Sequence, residues 1–279
     1  DGDKITALYN EIGNISDTEV PGYVKVTFNE GLHGELKGIT EYWVKPGVEV
    51  TVPAPAVKAD TGYEFDKWDQ SLTQVFTKDT TITAEYTKLA DVIDGNETRP
   101  DGYVKVTFEK GEHGIDISGQ RVYYVNPKAN VKLGNAAIVK PRVTAETGYK
   151  FTMWDKPDSL TITEDTTVTA LYKALDDVIP QENEDGSDKP DGYITVTFVP
   201  TDKAVNNRNK VVYVNPNKAV VLDPYAPEII AKTGYEFADW DTSIKKPIVY
   251  QDGDQIIAKY NEYGDISEDK KPGYVKVTF

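Results

Sequence analysis

His33 and His113 stand in matching turns, Gly31-Leu32-His33-Gly34 and Gly111-Glu112-His113-Gly114. Zinc would need about four nitrogen or sulfur ligands at such a place. The chain has no cysteine, and neither histidine has another nearby in sequence, so the reading is a solvated turn. A nucleophile, base and orienting group must recur as a set to make a hydrolase, and no such set is visible. Scattered carboxylates could act as a glycosidase pair only if a cleft held them. Calcium takes about six to eight oxygens, and the acidic stretch 182–191 offers Asp185 and Asp188 as candidates, though without the spacing of an EF-hand loop. Lys25 and Lys105 would have to be buried beside a carboxyl to form an isopeptide cross-link, yet their strand pattern turns them outward, where Thr195 takes the third position. Trp43, Tyr124 and Tyr213 also read as outward, and exposed aromatics in register could stack on sugar rings or hold a host protein. Packing against Tyr23, Tyr103 and Tyr193 is the competing use of those rings.

The elements that would position these residues are written three times. The phrase Gly-Tyr-Val-Lys-Val-Thr-Phe stands at 22–28, 102–108 and 273–279, with Gly-Tyr-Ile-Thr-Val-Thr-Phe at 192–198. A second phrase, Gly-Tyr-x-Phe-x-x-Trp-Asp, ends at Asp69, Asp155 and Asp241, and its tryptophans Trp68, Trp154 and Trp240 are 86 positions apart each time. A fixed period of this length marks an array of small domains rather than solenoid units. The expected division is 1–20 as the tail of a preceding repeat, 21–98, 99–188 and 189–270 as repeats one to three, and 271–279 as the first strand of a following one.

Within a repeat, Val24, Val26 and Phe28 alternate with polar residues, as a half-buried strand does. Tyr42 and Val44 form its hairpin partner across the glycine-rich turn 29–38, Val48, Val50 and Val52 follow, and Ile82, Ala84 and Tyr86 close the unit. In repeat three, 226–232 could make a short helical turn with proline at its start. Elsewhere no 3.6-residue period persists, so the fold class is mostly β, α+β at most: three tandem β-grasp-like domains in an elongated array. Tyr63, Phe65 and Trp68, with Tyr149, Phe151, Trp154, Tyr235, Phe237 and Trp240, are the expected structural core, each able to bury ~150 to 250 Å². The linkers are acidic and proline-tipped, at Pro21, Pro100, Pro190 and Pro272, which stiffens them. Their apolar pairs Val92-Ile93 and Val178-Ile179 are expected to dock on the preceding domain.

Net charge is −15 and no stretch is long and apolar enough to span a bilayer, which argues against nucleic-acid and membrane partners. Cofactors are expected to be none, catalysis absent and the chain a monomer. Residues 4–9 read as the closing strand of an earlier copy, so the chain reads as a piece of a longer protein.

The strand ending Val26-Thr27-Phe28, the run 62–68 and the closing 77–86 together resemble the internalin B-repeat and Listeria-Bacteroides repeat families of Gram-positive surface proteins. That resemblance implies a small β-grasp-like fold, an extracellular place on a bacterial surface with cell-wall anchoring through another region, other domains of the same surface protein as partners, and an adhesin stalk or ligand-display role. Host glycan or protein binding by exposed aromatics is the alternative it leaves open.

Overall fold

A computed structural model describes residues 12–271 and 273–278; the expected closing strand at 4–9 lies outside the described residues. Strands dominate because β-branched and aromatic residues recur at a period of two, broken by glycine and proline. The chain forms two compact units: one holds the residues up to Thr107 with Gln120–Lys140 and Lys156–Thr167, the other Phe108–Gly119, Pro141–Asp155 and the chain from Val168 on. Each junction between repeats therefore falls inside one unit.

The first unit contains all of repeat one. Its strands are β1 (Ile15–Ser16), β2 (Val24–Asn29), β3 (Gly34–Lys37), β4 (Glu41–Val44), β5 (Glu49–Thr51), β6 (Ala56–Ala59), β7 (Tyr63–Trp68), β8 (Thr73–Val75) and β9 (Thr80–Lys88). The main sheet runs β1-β4-β2-β9-β7, with β2 and β9 parallel at its centre and their neighbours antiparallel. Two small ladders, β3 with β6 and β5 with β8, lie outside it. The expected turn at 29–38 thus carries a strand of its own. Val26, Phe28, Tyr42, Val44, Val50, Val52, Phe76 and Ile82 form one buried cluster, covering one face of the sheet. The unit goes on with β10 (Val92–Asp94), β11 (Val104–Glu109) and β13 (Val122–Val125), where β13 pairs with both others.

The second unit holds β12 (Gly114–Ser118) paired with β14 (Arg142–Ala145), and β15 (Tyr149–Trp154) paired with β16 (Thr166–Ala174). Repeat three follows with β17 (Val178–Pro180), β18 (Ile194–Val199), β19 (Lys210–Val214), β20 (Tyr235–Trp240) and β21 (Asp254–Glu262), in the order β17-β19-β18-β21-β20. Its core joins Val196, Phe198, Val212, Val214, Leu222, Trp240 and Ile256. The fold is nearly all β, with three five-stranded mixed sheets in three repeated units.

Three expectations are corrected. The helical turn of repeat three lies at Asp223–Tyr225 rather than at 226–232, because Pro224 starts it there and Ala226 is already extended. The pairs Val92-Ile93 and Val178-Ile179 join the following sheet, pairing with Val125-Tyr124 and Val214-Tyr213, and do not dock on the preceding one. An unpaired sheet edge with open backbone groups stood next to each linker and took it up as a strand. Residues 274–278, expected as a first strand, lie outside any strand.

Candidate functional site

The repeated aromatic phrase builds one cluster in each copy. Trp68 meets Phe28 edge to face at 4.9 Å between ring centroids and Phe65 at 5.5 Å. Trp154 meets Phe108 at 5.1 Å and Phe151 at 5.6 Å, and Trp240 meets Phe198 at 5.2 Å and Phe237 at 5.5 Å. Trp240 is buried, whereas Trp68 and Trp154 keep an edge in solvent, as do Phe65, Phe151 and Phe237. Tyr63 and Tyr149 are half-buried and lie flat on His33 and His113, at 3.7 and 3.6 Å; over Tyr235 the ammonium of Lys203 takes that place at 4.8 Å. The turn histidines are thus ring partners of the motif tyrosine, and His113 Nδ1 also lies 3.4 Å from Glu146.

The polar motif residues are spent on backbone groups that the sheet cannot satisfy. Asp79, Asp165 and Asp252 accept the amide protons of Lys25, Lys105 and Thr195 at 2.8, 2.7 and 2.8 Å. In repeats one and three those amides lie just before the parallel ladder begins, at Val26 opposite Thr80 and Val196 opposite Asp254. Asp165 and Asp252 titrate below the usual carboxylate range, first because of those amide bonds, then with help from Arg99 and Lys189. The aspartate after each tryptophan continues the ladder past the end of its strand: Asp69, Asp155 and Asp241 accept the amide protons of Thr83, Thr169 and Ile257 at 2.7, 2.7 and 2.8 Å. The closing tyrosines donate to the opening loop, Tyr86 to Glu30, Tyr172 to Lys110 and Tyr260 to Pro200.

The candidate binding residues divide. Trp43 and Tyr124 are half-buried, and cations lie over their rings, Lys25 at 5.6 Å and Arg99 at 6.0 Å. Their register partners are Lys25 and Lys105, not the tyrosines expected from alternation. Tyr213 is only 2 % exposed, which corrects the reading of it as a surface platform. The acidic linker folds over it, with Asp188 accepting its hydroxyl at 3.3 Å. Asp188 also accepts the Glu182 amide at 2.6 Å and Asp185 accepts that of Ser187 at 3.0 Å, and these amide bonds lower both carboxyls. Among the described residues no three histidine, aspartate or glutamate side chains gather as a metal site would require.

The least anticipated geometry is at the junctions. Leu89 donates its amide to Gly62 of repeat one at 2.9 Å, while the next carbonyl, Ala90, accepts the Tyr103 hydroxyl of repeat two at 2.9 Å. Asp91 then accepts the Asn126 amide at 2.9 Å. The chain therefore passes from one repeat's bonding to the next within a single residue. Leu175, Asp176 and Asp177 repeat the arrangement with Gly148, Tyr193 and Asn215, at 2.8, 3.0 and 2.9 Å. Tyr103 and Tyr193 are 1 % and 3 % exposed, which raises both phenols, through burial first and the neighbouring aspartates second. Gly102 and Gly192 lie so close under Thr61 and Thr147 of the preceding repeat that a Cβ would collide with the hydroxyls. Asn126 and Asn215 are the buried polar residues of the chain's described part. Sequence reasoning passed over them, although Val-Asn-Pro stands at 125–127 and 214–216 in place of Val-Lys-Pro at 44–46.

No helix among the described residues is long and apolar enough to cross a membrane. No curated protein matches the chain. Residues 24–90 match the family model described as the divergent InlB B-repeat domain, and residues 195–262 match the Listeria-Bacteroides repeat domain. Over those two segments the chain thus carries repeat domains of the kinds that its own motifs resemble.

Proposed function

We propose that this chain is a spacer: a non-catalytic tandem-repeat segment of a bacterial cell-surface adhesin, cell-wall anchored through another region, that projects a distal binding domain. Repeat domains of the Listeria-Bacteroides type suggest a surface-protein repeat, and such families are generally non-catalytic. The observation that carries the reading is the one-residue junction, held on one side by Gly62 or Gly148 and on the other by a buried tyrosine and asparagine. A linker with no slack transmits position from one domain to the next, as a spacer must. The motif polar groups support it too, since they are already paired with backbone and have little left for a substrate.

Small-angle scattering of the full chain tests the spacer. The expected result is a maximum dimension near the end-to-end sum of three repeats; that of a single sphere of equal mass would overturn it. The rival role, host glycan or protein binding, draws on the remaining exposure of Trp43 and Tyr124. Glycan-array binding that Trp43→Ala or Tyr124→Ala abolishes would establish that role in its place.

A further inference from the structure

The joints of this chain are worded in two ways. Leading into repeats two and three, the residue at the crossing point is Ala90 or Asp176, followed by Asp91 or Asp177, and the turn beyond β13 or β19 carries Asn126 or Asn215. Leading into repeat one, the corresponding residues are Gly13, Asn14 and Lys45. The backbone pattern is shared: Tyr23 donates to Gly13 at 3.0 Å and Lys45 to Asn14 at 2.9 Å. After repeat three the wording that precedes repeat one returns, Asn-Glu-Tyr-Gly-Asp-Ile-Ser at 261–267 against Asn-Glu-Ile-Gly-Asn-Ile-Ser at 10–16, and Tyr274 donates to Gly264 at 2.7 Å.

The side chains differ in what they can hold. Asn126 is 7 % exposed, with two side-chain hydrogen bonds and one close approach. Its Oδ1 accepts the Lys128 amide at 3.0 Å, its Nδ2 reaches Asp91 at 3.5 Å, and it lies against Gly62 of the preceding repeat, where a Cβ would come within 2.6 Å of Nδ2. Asn215 does the same with Asn217 at 3.1 Å, Asp177 at 3.1 Å and Gly148, where a Cβ would come within 3.0 Å. A lysine cannot reproduce this pattern, because an ammonium has no oxygen to accept the amide that Asn126 Oδ1 and Asn215 Oδ1 take.

We propose that a buried asparagine locks the joints between the three repeats, holding the linker aspartate by hydrogen bond and packing against the glycine of the preceding repeat, and that the Gly13, Asn14 and Lys45 wording lacks this lock. Repeats one, two and three are then joined by locks, at Ala90 and Asp176. The arrangement stands whatever the array displays.

The test exploits the absence of cysteine, which allows spin labels to be placed at will. Labels at Glu64→Cys and Ala136→Cys, both exposed, read the first lock by double electron–electron resonance. The native chain should give a narrow distance distribution. The variant Ala90→Gly/Asp91→Asn/Asn126→Lys, which copies the joint before repeat one, should broaden it about twofold. Equal widths with both repeats folded, or a native distribution already as broad, would overturn the proposal. If that variant unfolds, Asn126→Ala alone decides with the same labels: a width increased about twofold is expected, and an unchanged width would sink the lock.

Discussion

Replacing Tyr103 by phenylalanine removes one hydroxyl from the first junction and leaves its ring in place. That hydroxyl donates to Ala90 at 2.9 Å from a side chain 1 % exposed. A typical buried hydrogen bond contributes about 0.5–1.5 kcal/mol net, and because Ala90 is exposed, water can take over its carbonyl. The expected loss is therefore about 1 kcal/mol at neutral pH, or about 4–8 °C in Tm for a domain of this size. The alkaline limb gives a sharper check. Burial, and after it Asp91, raises the Tyr103 phenol above 10.0, so the folded chain keeps a proton that the unfolded chain loses. Native stability is intact below the unfolded value and falls as pH rises through the folded one. Tyr103→Phe has nothing to titrate there, so the gap between native and variant should shrink above pH 10.0. Other phenols raised by burial, Tyr86 and Tyr123 among them, titrate in both chains and cancel in the difference. Urea melts followed by tryptophan fluorescence from neutral to strongly alkaline pH supply the measurement. A gap that stays constant, or no gap at neutral pH, would refute the reasoning.

Trp240→Ala should cost about 3–5 kcal/mol, and Trp68→Ala distinctly less, since Trp240 is 7 % exposed and Trp68 keeps an edge in solvent; urea melts of the two variants would rank them. Asp69→Ala should lose about 1–2 kcal/mol by freeing the Thr83 amide, with Asp69→Asn costing less because a carbonyl oxygen remains, and amide exchange at Thr83 should follow the same order. In acid, Asp165 and Asp252 should hold the sheets together until pH falls below 3.8 and through their lowered folded values, so that acid melts of Asp165→Asn converge with those of the native chain there. Calcium at millimolar concentration should leave the melting temperature unchanged, since Asp185 and Asp188 already accept linker amides; a rise of several degrees would show that the loop reorganises around the ion.

What could be read from the residues was whatever depends on near neighbours. The period-two runs located the parallel pair, and the Gly-Tyr-x-Phe-x-x-Trp spacing located the aromatic cluster. Partner choice was another matter. Val92-Ile93 has the same apolar character whichever sheet receives it, and only the open edge at β13, some thirty residues further on, decides. Tyr213 alternates outward like Trp43, and its burial comes from the longer acidic linker of repeat three, which reaches it with Asp188. The junction asparagines were invisible for a related reason. A single polar residue before a proline reads as a turn former, and nothing local reveals that Gly62 will lie against it.

The third repeat shows which features the fold holds constant. Its opening loop lacks the glycines and the histidine of the other two, and its closing approach is Gln251-Asp252-Gly253-Asp254 rather than a threonine run, yet Asp252 still caps Thr195 and Tyr260 still reaches back to Pro200. Outward positions drift freely by comparison. The register pair that is Lys67 with Glu85 in repeat one is Met153 with Leu171 in repeat two and Asp239 with Lys259 in repeat three. Only the first is an ion pair, at 3.5 Å, and both side chains of the second are exposed. An outward pair at half-exposure contributes about 0.2–1 kcal/mol, too little to restrict what stands there, whereas an unfinished ladder or an uncapped strand end leaves a backbone donor without a partner. The repeated wording is therefore set by backbone satisfaction and ring packing. Any trait that distinguishes one copy from another has to be sought in the drifting outward pairs and in the linkers.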